Sequence, residues 1–281
     1  MLSVLKNAEV GCTTYYVGTN PEHIQHLKSC TLYCQQHFDI HPSVKQIVVE
    51  DAQLEFYKLS NKVDFPYNFK KDIWGNYTYI KGENCDIHPT AVIGEGVIIG
   101  DDVTIGPNSV IYSKTQIGSG TRIDSNVTIG TEGMMWVWDG NTKVFLRQLG
   151  GVRIGKNCII GSNSAIVRGS ANEYTILEDG VNMAPGCCIG HGTFIGKNTH
   201  LANNVTTGGS VYINEYTFIG SAAVLNPSVK ILDVDVVIAS GAVVSKDITI
   251  SGVYIGSPTK YLKETKGKLK GIPNLRLWKL L

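Results

Sequence analysis

Residues 87–111 read IHPTAVIGEGVIIGDDVTIGPNSVI, and an aliphatic side chain returns at every sixth position: Ile87, Ile93, Ile99, Ile105, Ile111. Neither an α-helix nor an ordinary strand has that period. A hexapeptide made of one short strand and one corner does, and three of them close one coil of a parallel β-helix. The beat continues through Ile117, Ile123 and Ile129, resumes at Ile154, Ile160 and Ile166, and then runs from Leu177 to Val243. Its later members include Met183, Ile189, Ile195, Leu201, Ile213, Ile219, Leu225, Ile231 and Val237, with one polar occupant, Thr207. Twenty-three hexapeptides make nearly eight coils, a prism roughly 35–40 Å tall at the spacing of hydrogen-bonded strands.

The other slots of the repeat agree. Four residues after each aliphatic stands a small or β-branched side chain, as at Val97, Val103, Ser109, Thr115, Thr121 and Val127. Three residues after it stands Gly, Asn or Asp at thirteen of the places, including Gly96, Asp102, Asn108, Asn126, Asn157, Asn163, Gly192, Asn198 and Asn204. These residue types tolerate a positive φ, so that slot is the corner.

Two insertions interrupt the beat. The longer lies between Ile129 and Ile154, and its centre, WVWDGNTKVFL (136–146), alternates about Asp139-Gly140-Asn141 as a β-hairpin does. It carries Met134, Met135, Trp136, Trp138 and Phe145, so a projecting flap is expected to meet a ligand or a neighbouring subunit. The shorter insertion is GSANEY (169–174).

The ends lack the repeat. In residues 1–75, CTTYYVG and KQIVVE read as strands, NPEHIQHLKSC as a helix capped by Asn20 with Pro21 at its first position, and DAQLEFYKLS as a second helix. The expected organisation is a small α/β domain over 1–75, a candidate nucleotide-sugar binder. A β-helix over 76–256 with a flap at 131–153 follows, and then a basic helical tail over 257–281. That tail holds Lys260, Lys263, Lys266, Lys268, Lys270, Arg276 and Lys279 against Glu264, a solvated face or a collar for phosphates or an acidic carrier protein.

Bulk composition excludes more than it assigns. Formal net charge is +1 and only 17% of residues are charged, which offers nothing to nucleic acid. Glycine numbers 31 of 281 residues, above the usual ~7%, but periodically placed. No apolar run of about 18 residues and no signal peptide stand out, so no integral membrane segment and a cytoplasmic location are expected. The seven scattered cysteines read as reduced thiols, with no metal site.

His191, in CCIGHGTFIGKN (187–198), falls two positions after the inward Ile189, in the slot filled elsewhere by Glu95, Asp101, Pro107, Ser119, Lys197 and Glu215. It is therefore a corner residue rather than a core histidine, and an imidazole titrating near ~6.5 can accept a proton at neutral pH. Eighteen residues on, one coil away in the same slot, is Gly209. A base beside an open backbone N–H suits acyl transfer, the amide stabilising the tetrahedral oxyanion. His200 falls on a different slot and is a candidate substrate contact.

QLGGVRIGKNCIIGSNSAIVRG (148–169), TILEDGVNMAPGCCIGHGTFIGKN (175–198), TTGGSVYI (206–213) and GVYIGSP (252–258) together resemble the hexapeptide-repeat acyltransferases, most closely the UDP-3-O-acylglucosamine N-acyltransferases of lipid A synthesis. The resemblance implies a left-handed β-helix, a homotrimer with clefts between prisms, His191 as general base and Gly209 as oxyanion donor. It implies no tightly bound cofactor, with an acyl-CoA or acyl carrier protein thioester as co-substrate. Met134 and Trp136 are then candidates for the acyl channel, and Lys246 and Lys260 for coenzyme A phosphates. Pro185 and Cys188 stand where that family has Asn and Gln. This departure points to N-acylation of another nucleotide-linked amino sugar from acyl-CoA, for surface polysaccharide, with the lipid A reaction as the alternative. A zinc hydratase on the same solenoid needs three convergent histidines, and the repeat holds no closely spaced pair, only His88, His191 and His200. A scaffold would make no use of His191.

Overall fold

A computed structural model of the chain describes residues 1–63 and 78–264, which separate into two compact units. The larger unit is the solenoid. Its coils stack three parallel faces, and each face pairs strands from successive coils in register. The first face runs from Ile80–Lys81 to Lys230–Ile231, the second from Asp86–Ile87 to Gly252–Ile255, and the third from Val92–Ile93 to Val243–Val244.

Most strands are two residues long, because the repeat must turn again after the second. That second residue is the periodic aliphatic, and its burial is nearly complete along the columns, as at Ile111, Ile123, Ile166, Ile189 and Leu225. The residue four positions on is equally buried, as at Val103, Thr121, Val127 and Val205. Each column thus places an aliphatic on its own kind in the coils above and below, removing its whole apolar surface from water.

The corner slot adopts the left-handed conformation that its residue types suggest. Asp102, Asn108, Asn126, Asn157, Asn163, Asn198 and Asn204 lie at φ between 53° and 60°. Beyond Gly209 the same slot holds Ser210, Tyr216, Ala222 and Ser228, at φ 57° to 64°. These four have no intrinsic preference for that region, so the stacked coils impose it against a local cost.

The structure departs from the sequence reading in three places. The beat slips by one residue after Ile231: Ile219 pairs with Ile238 and Leu225 with Val244, so Ile238 and Val244 take the inward slots assigned to Val237 and Val243. The extra residue is absorbed in the corner at Leu232–Asp235, where Asp235 has φ 55°. The helix expected from Pro258 is instead a strand, Lys260–Lys263, antiparallel to Gly252–Ile255. It pairs the open edge of the last coil, whose N–H and C=O groups need partners, and sets Tyr261 against Tyr254 with ring centroids 5.8 Å apart. The basic run beyond Glu264 and the expected domain boundary at 75 lie outside the described residues. Third, the N-terminal segment expected to be a helix forms only a 3-10 turn, Pro21–Ile24, although Asn20 does cap it by accepting the Glu22 N–H at 3.0 Å.

The smaller unit comprises the described residues up to 63 together with 132–150 and 169–173. Strands β1 (Thr13–Tyr15), β2 (Thr31–Cys34) and β3 (Lys45–Val48) form a parallel sheet in that order. Helix α1 (Ala52–Ser60) follows, capped by Asp51, whose carboxylate accepts the Leu54 N–H at 2.9 Å. The hairpin pairs Trp136–Asp139 with Thr142–Phe145 and packs on this unit: Phe56 and Tyr57 of α1 cluster with Val137, Val144 and Leu146. Asn61 donates to the Phe145 carbonyl at 2.8 Å, and Lys58 reaches Asp139 at the hairpin tip at 3.0 Å.

All seven cysteines are free thiols, and no helix among the described residues is long and apolar enough to cross a membrane. Asn126→Ala is expected to cost about 1–2 kcal/mol and Asn126→Gly close to nothing, because the left-handed corner penalises a Cβ that has no local hydrogen bond. Denaturant unfolding of the two variants would show it; equal losses would mean that side-chain contacts hold the corner instead.

Candidate active site

His191 lies at the corner that joins the third face, through strand Cys188–Ile189, to the first, through Phe194–Ile195. Its side chain is half-buried. One coil on, Gly209 occupies the same corner, and the imidazole lies directly over it. A Cβ built on Gly209 would collide with Nε2 of His191 and come within 2.6 Å of Cδ2 and 2.7 Å of Cε1. The coils are joined at this point by the Ser210 N–H, which donates to the His191 carbonyl at 2.6 Å. Among the described residues the N–H of Gly209 has no acceptor. The 18-residue offset read from the sequence therefore does bring an imidazole and an open amide together.

The backbone on either side of His191 is held by buried hydroxyls. The Gly190 N–H donates to Thr207 Oγ1 at 3.0 Å, and the Gly192 N–H donates to Thr175 Oγ1 at 2.9 Å. Thr175 in turn donates to the Val167 carbonyl at 2.6 Å. Thr193 Oγ1 donates to the Gly208 carbonyl at 3.2 Å and stands 3.4 Å from Thr207 Oγ1. All three threonines are buried. Sequence reasoning passed over them, although Thr207 had already shown itself as the polar residue in an aliphatic column.

The remaining expected site residues lie apart from this corner. His200 is on the second face, in register with Asn182 and Phe218, so a single chain does not set it beside His191. Burial pushes its pKa below the ordinary imidazole value. Lys246 and Lys260 are exposed, the latter opening the terminal strand. Met134 and Trp136 belong to the smaller unit. Met134 is exposed, and Trp136 packs edge-on against Trp138, centroids 5.1 Å apart, with the Lys143 ammonium 4.3 Å from its ring.

That unit has a cavity of its own, about 830 Å³. It opens where β1, β2 and β3 end, at Val17, Gln35 and Val49, beside the start of α1 and the hairpin tip. Carboxylates dominate its rim, with Glu50, Asp51, Glu55 and Asp139 against Lys58.

Comparison with known proteins agrees with the solenoid. The family described as Bacterial transferase hexapeptide (six repeats) matches residues 82–113 and 96–131. Residues 82–131 of the solenoid thus carry the repeat that this family model describes. Over 130 residues, 46% of its length, the chain is 36% identical to the UDP-3-O-acylglucosamine N-acyltransferase of Delftia acidovorans, of which the match covers 38%. The protein of the same name from Bordetella avium is 41% identical over 109 residues, 39% of this chain and 30% of that one. The chain thus matches well under half the length of these curated relatives. Among solved structures, UDP-N-acetylglucosamine acyltransferase from Campylobacter jejuni superposes with a TM-score of 0.51 at 24% identity, over 69% of this chain and 81% of that one. This likeness concerns the fold, which is a left-handed β-helix.

Gly209→Ala tests the stacking directly. Gly209 has no positive φ, so alanine is tolerated by the backbone and the collision falls on the movable imidazole. Unfolding temperature is expected to change by no more than a few degrees. The His191 imidazole resonances should shift, because the added methyl displaces the ring from its place against the Gly209 backbone. Unchanged resonances would mean that the ring does not rest on Gly209.

Proposed function

We propose that this protein is an N-acyltransferase that moves an acyl group from a thioester to the amino group of a UDP-linked glucosamine. The observation that carries the proposal is the imidazole of His191 stacked over Gly209, whose N–H has no acceptor among the described residues. The amine nitrogen attacks the thioester carbonyl carbon as His191 accepts the amine proton. The carbonyl oxygen becomes an oxyanion, which the Gly209 N–H stabilises. The tetrahedral intermediate then collapses, the C–S bond breaks, and the proton passes from the imidazolium to the leaving thiolate. The products are an amide and a free thiol, and no redox or metal step is required to balance them.

The acceptor is proposed from the name shared by the relatives, UDP-3-O-acylglucosamine N-acyltransferase, which favours the lipid A type of reaction with an acyl carrier protein donor. A second reading keeps the chemistry and changes the substrates, with acyl-CoA and another nucleotide-linked amino sugar. Pro185 and Cys188, both exposed in the coil that leads to His191, favour it, since neither offers the amide side chain that the resembled family presents there. Lys246 and Lys260 would then meet coenzyme A phosphates, Met134 and Trp136 would border the acyl chain, and His200 would touch substrate across the subunits of a homotrimer. The cavity of the smaller unit is our candidate for the nucleoside end, because ligands of open parallel sheets bind at the carboxyl ends of the strands and carboxylates accept from ribose hydroxyls.

Thiol release from acyl carrier protein and acyl-CoA thioesters of graded length, with UDP- and dTDP-linked amino sugars, is the deciding assay. Wild type is expected to turn over at least one pair, and His191→Asn to lose about 10²–10⁴-fold, the usual contribution of a general base. Turnover confined to long acyl carrier substrates selects the lipid A type; turnover with short acyl-CoA selects the second reading. An unchanged rate in His191→Asn would remove the imidazole from the mechanism.

A further inference from the structure

Along the third face, the residue after each strand normally donates its N–H to the carbonyl of the aliphatic one coil on. Gly94 donates to Ile111, Tyr112 to Ile129 and Gly208 to Leu225, at 2.7 to 2.9 Å. The first two faces follow the same rule, as at Gly118 to Ile154 and Gly196 to Ile213. At Gly190 the rule breaks. Its N–H goes to the Thr207 hydroxyl instead, and the strand pairing that aligns Cys188 with Thr206 does not extend to Ile189 and Thr207. The coils immediately before and after are regular, with Ile166 on Ile189 and Thr207 on Leu225. The irregularity is thus confined to the step between His191 and Gly209.

The hydroxyls at this step form a directed chain. Thr193 spends its proton on the Gly208 carbonyl, so at their 3.4 Å separation Thr207 is the donor to Thr193. The chain runs from the amide that precedes His191, through Thr207 and Thr193, to the carbonyl that precedes Gly209. The Gly190 amide and the Gly208 carbonyl are therefore tied to side chains, while the Ser210 N–H still joins the two corners through the His191 carbonyl.

We propose that Thr207 is a positioning residue, which holds the Gly190 backbone out of the regular ladder and so sets the imidazole of His191 over the amide of Gly209. This rests on the acyl-transfer reading of the site. Valine has nearly the shape of threonine and belongs in an aliphatic column, and in Thr207→Val the Gly190 N–H can return to the carbonyl of residue 207. The fold therefore loses little by the change, and threonine's presence there is explained by the geometry it imposes.

The test compares Thr207→Val and Thr207→Ser in the full-length protein. Thr207→Val is expected to unfold within a few degrees of wild type, to lose 10-fold or more in kcat with KM little changed, and to shift the imidazole resonances of His191 in protein carrying labelled histidine. Thr207→Ser, which restores the hydroxyl, is expected to recover both kcat and the resonance positions. Wild-type kcat and resonances in Thr207→Val would overturn the proposal, as would equal damage in the two variants. If wild type turns over no thioester–amine pair, the acyl-transfer reading fails, while the resonance comparison still decides whether Thr207 positions His191.

Discussion

The rest of the solenoid depends on the in-register stacking of one coil on the next. Strands of only two residues cannot support themselves. Each exists because the same two slots of the coils above and below hydrogen-bond to it and cover its aliphatic side chain. The three faces repeat this in turn, and the interior is a set of columns in which Ile meets Ile. A residue's surroundings are then set by the residues about 18 positions away rather than by its sequence neighbours. That is why one corner conformation serves Asn126, where it is easy, and Ala222, where it is not.

The same rule explains what was legible in the sequence. The columns, the left-handed corners and the approach of Gly209 to His191 all follow from counting by six and eighteen, because in a stacked coil sequence offset is spatial offset. The hairpin was legible too, from alternation about Asp139-Gly140-Asn141. Counting failed where the chain stopped counting. The extra residue at Leu232–Asp235 leaves Val236, Val237 and Ile238 all apolar, so the sequence pattern shows no phase change there; only strand pairing shows that Ile238 replaced Val237. Lys260–Lys263 has helix-forming residues, yet the unpaired edge of the last coil offers more hydrogen bonds than an isolated turn of helix. The hairpin's association with Phe56 and Tyr57 joins segments some eighty residues apart, and no local pattern carries such a contact.

Placing the proposed chemistry on corners has a structural logic. The slot of His191 carries no part of the aliphatic columns, which is why Glu, Asp, Pro, Ser and Lys all occur in it elsewhere. An imidazole can be added there without disturbing the core, and a glycine one coil on costs little because the neighbouring strands already fix its backbone. Yet the corner is not a floppy loop, since the coils above and below clamp it. The arrangement combines the sequence freedom of a loop with the rigidity of a sheet, which suits a base that must meet an amide at fixed separation.

Departures from the repeat do not all carry the same meaning, and their chemistry distinguishes them. Ser210, Tyr216, Ala222 and Ser228 occupy left-handed corners in consecutive hexapeptides, a cost spread along one stretch of the chain, of which Ser210 adjoins the site beside Gly209 and bonds the His191 carbonyl. Thr207 departs in another way, since it changes the hydrogen-bond pattern rather than only the residue type. The Gly190 N–H leaves the ladder at this step, and the hydroxyl that receives it lies two residues from the amide proposed to face the substrate. A ladder broken at the step that carries the proposed base and amide is what selection for geometry over stability would leave. A rule broken at four successive corners is what a stable stack can tolerate.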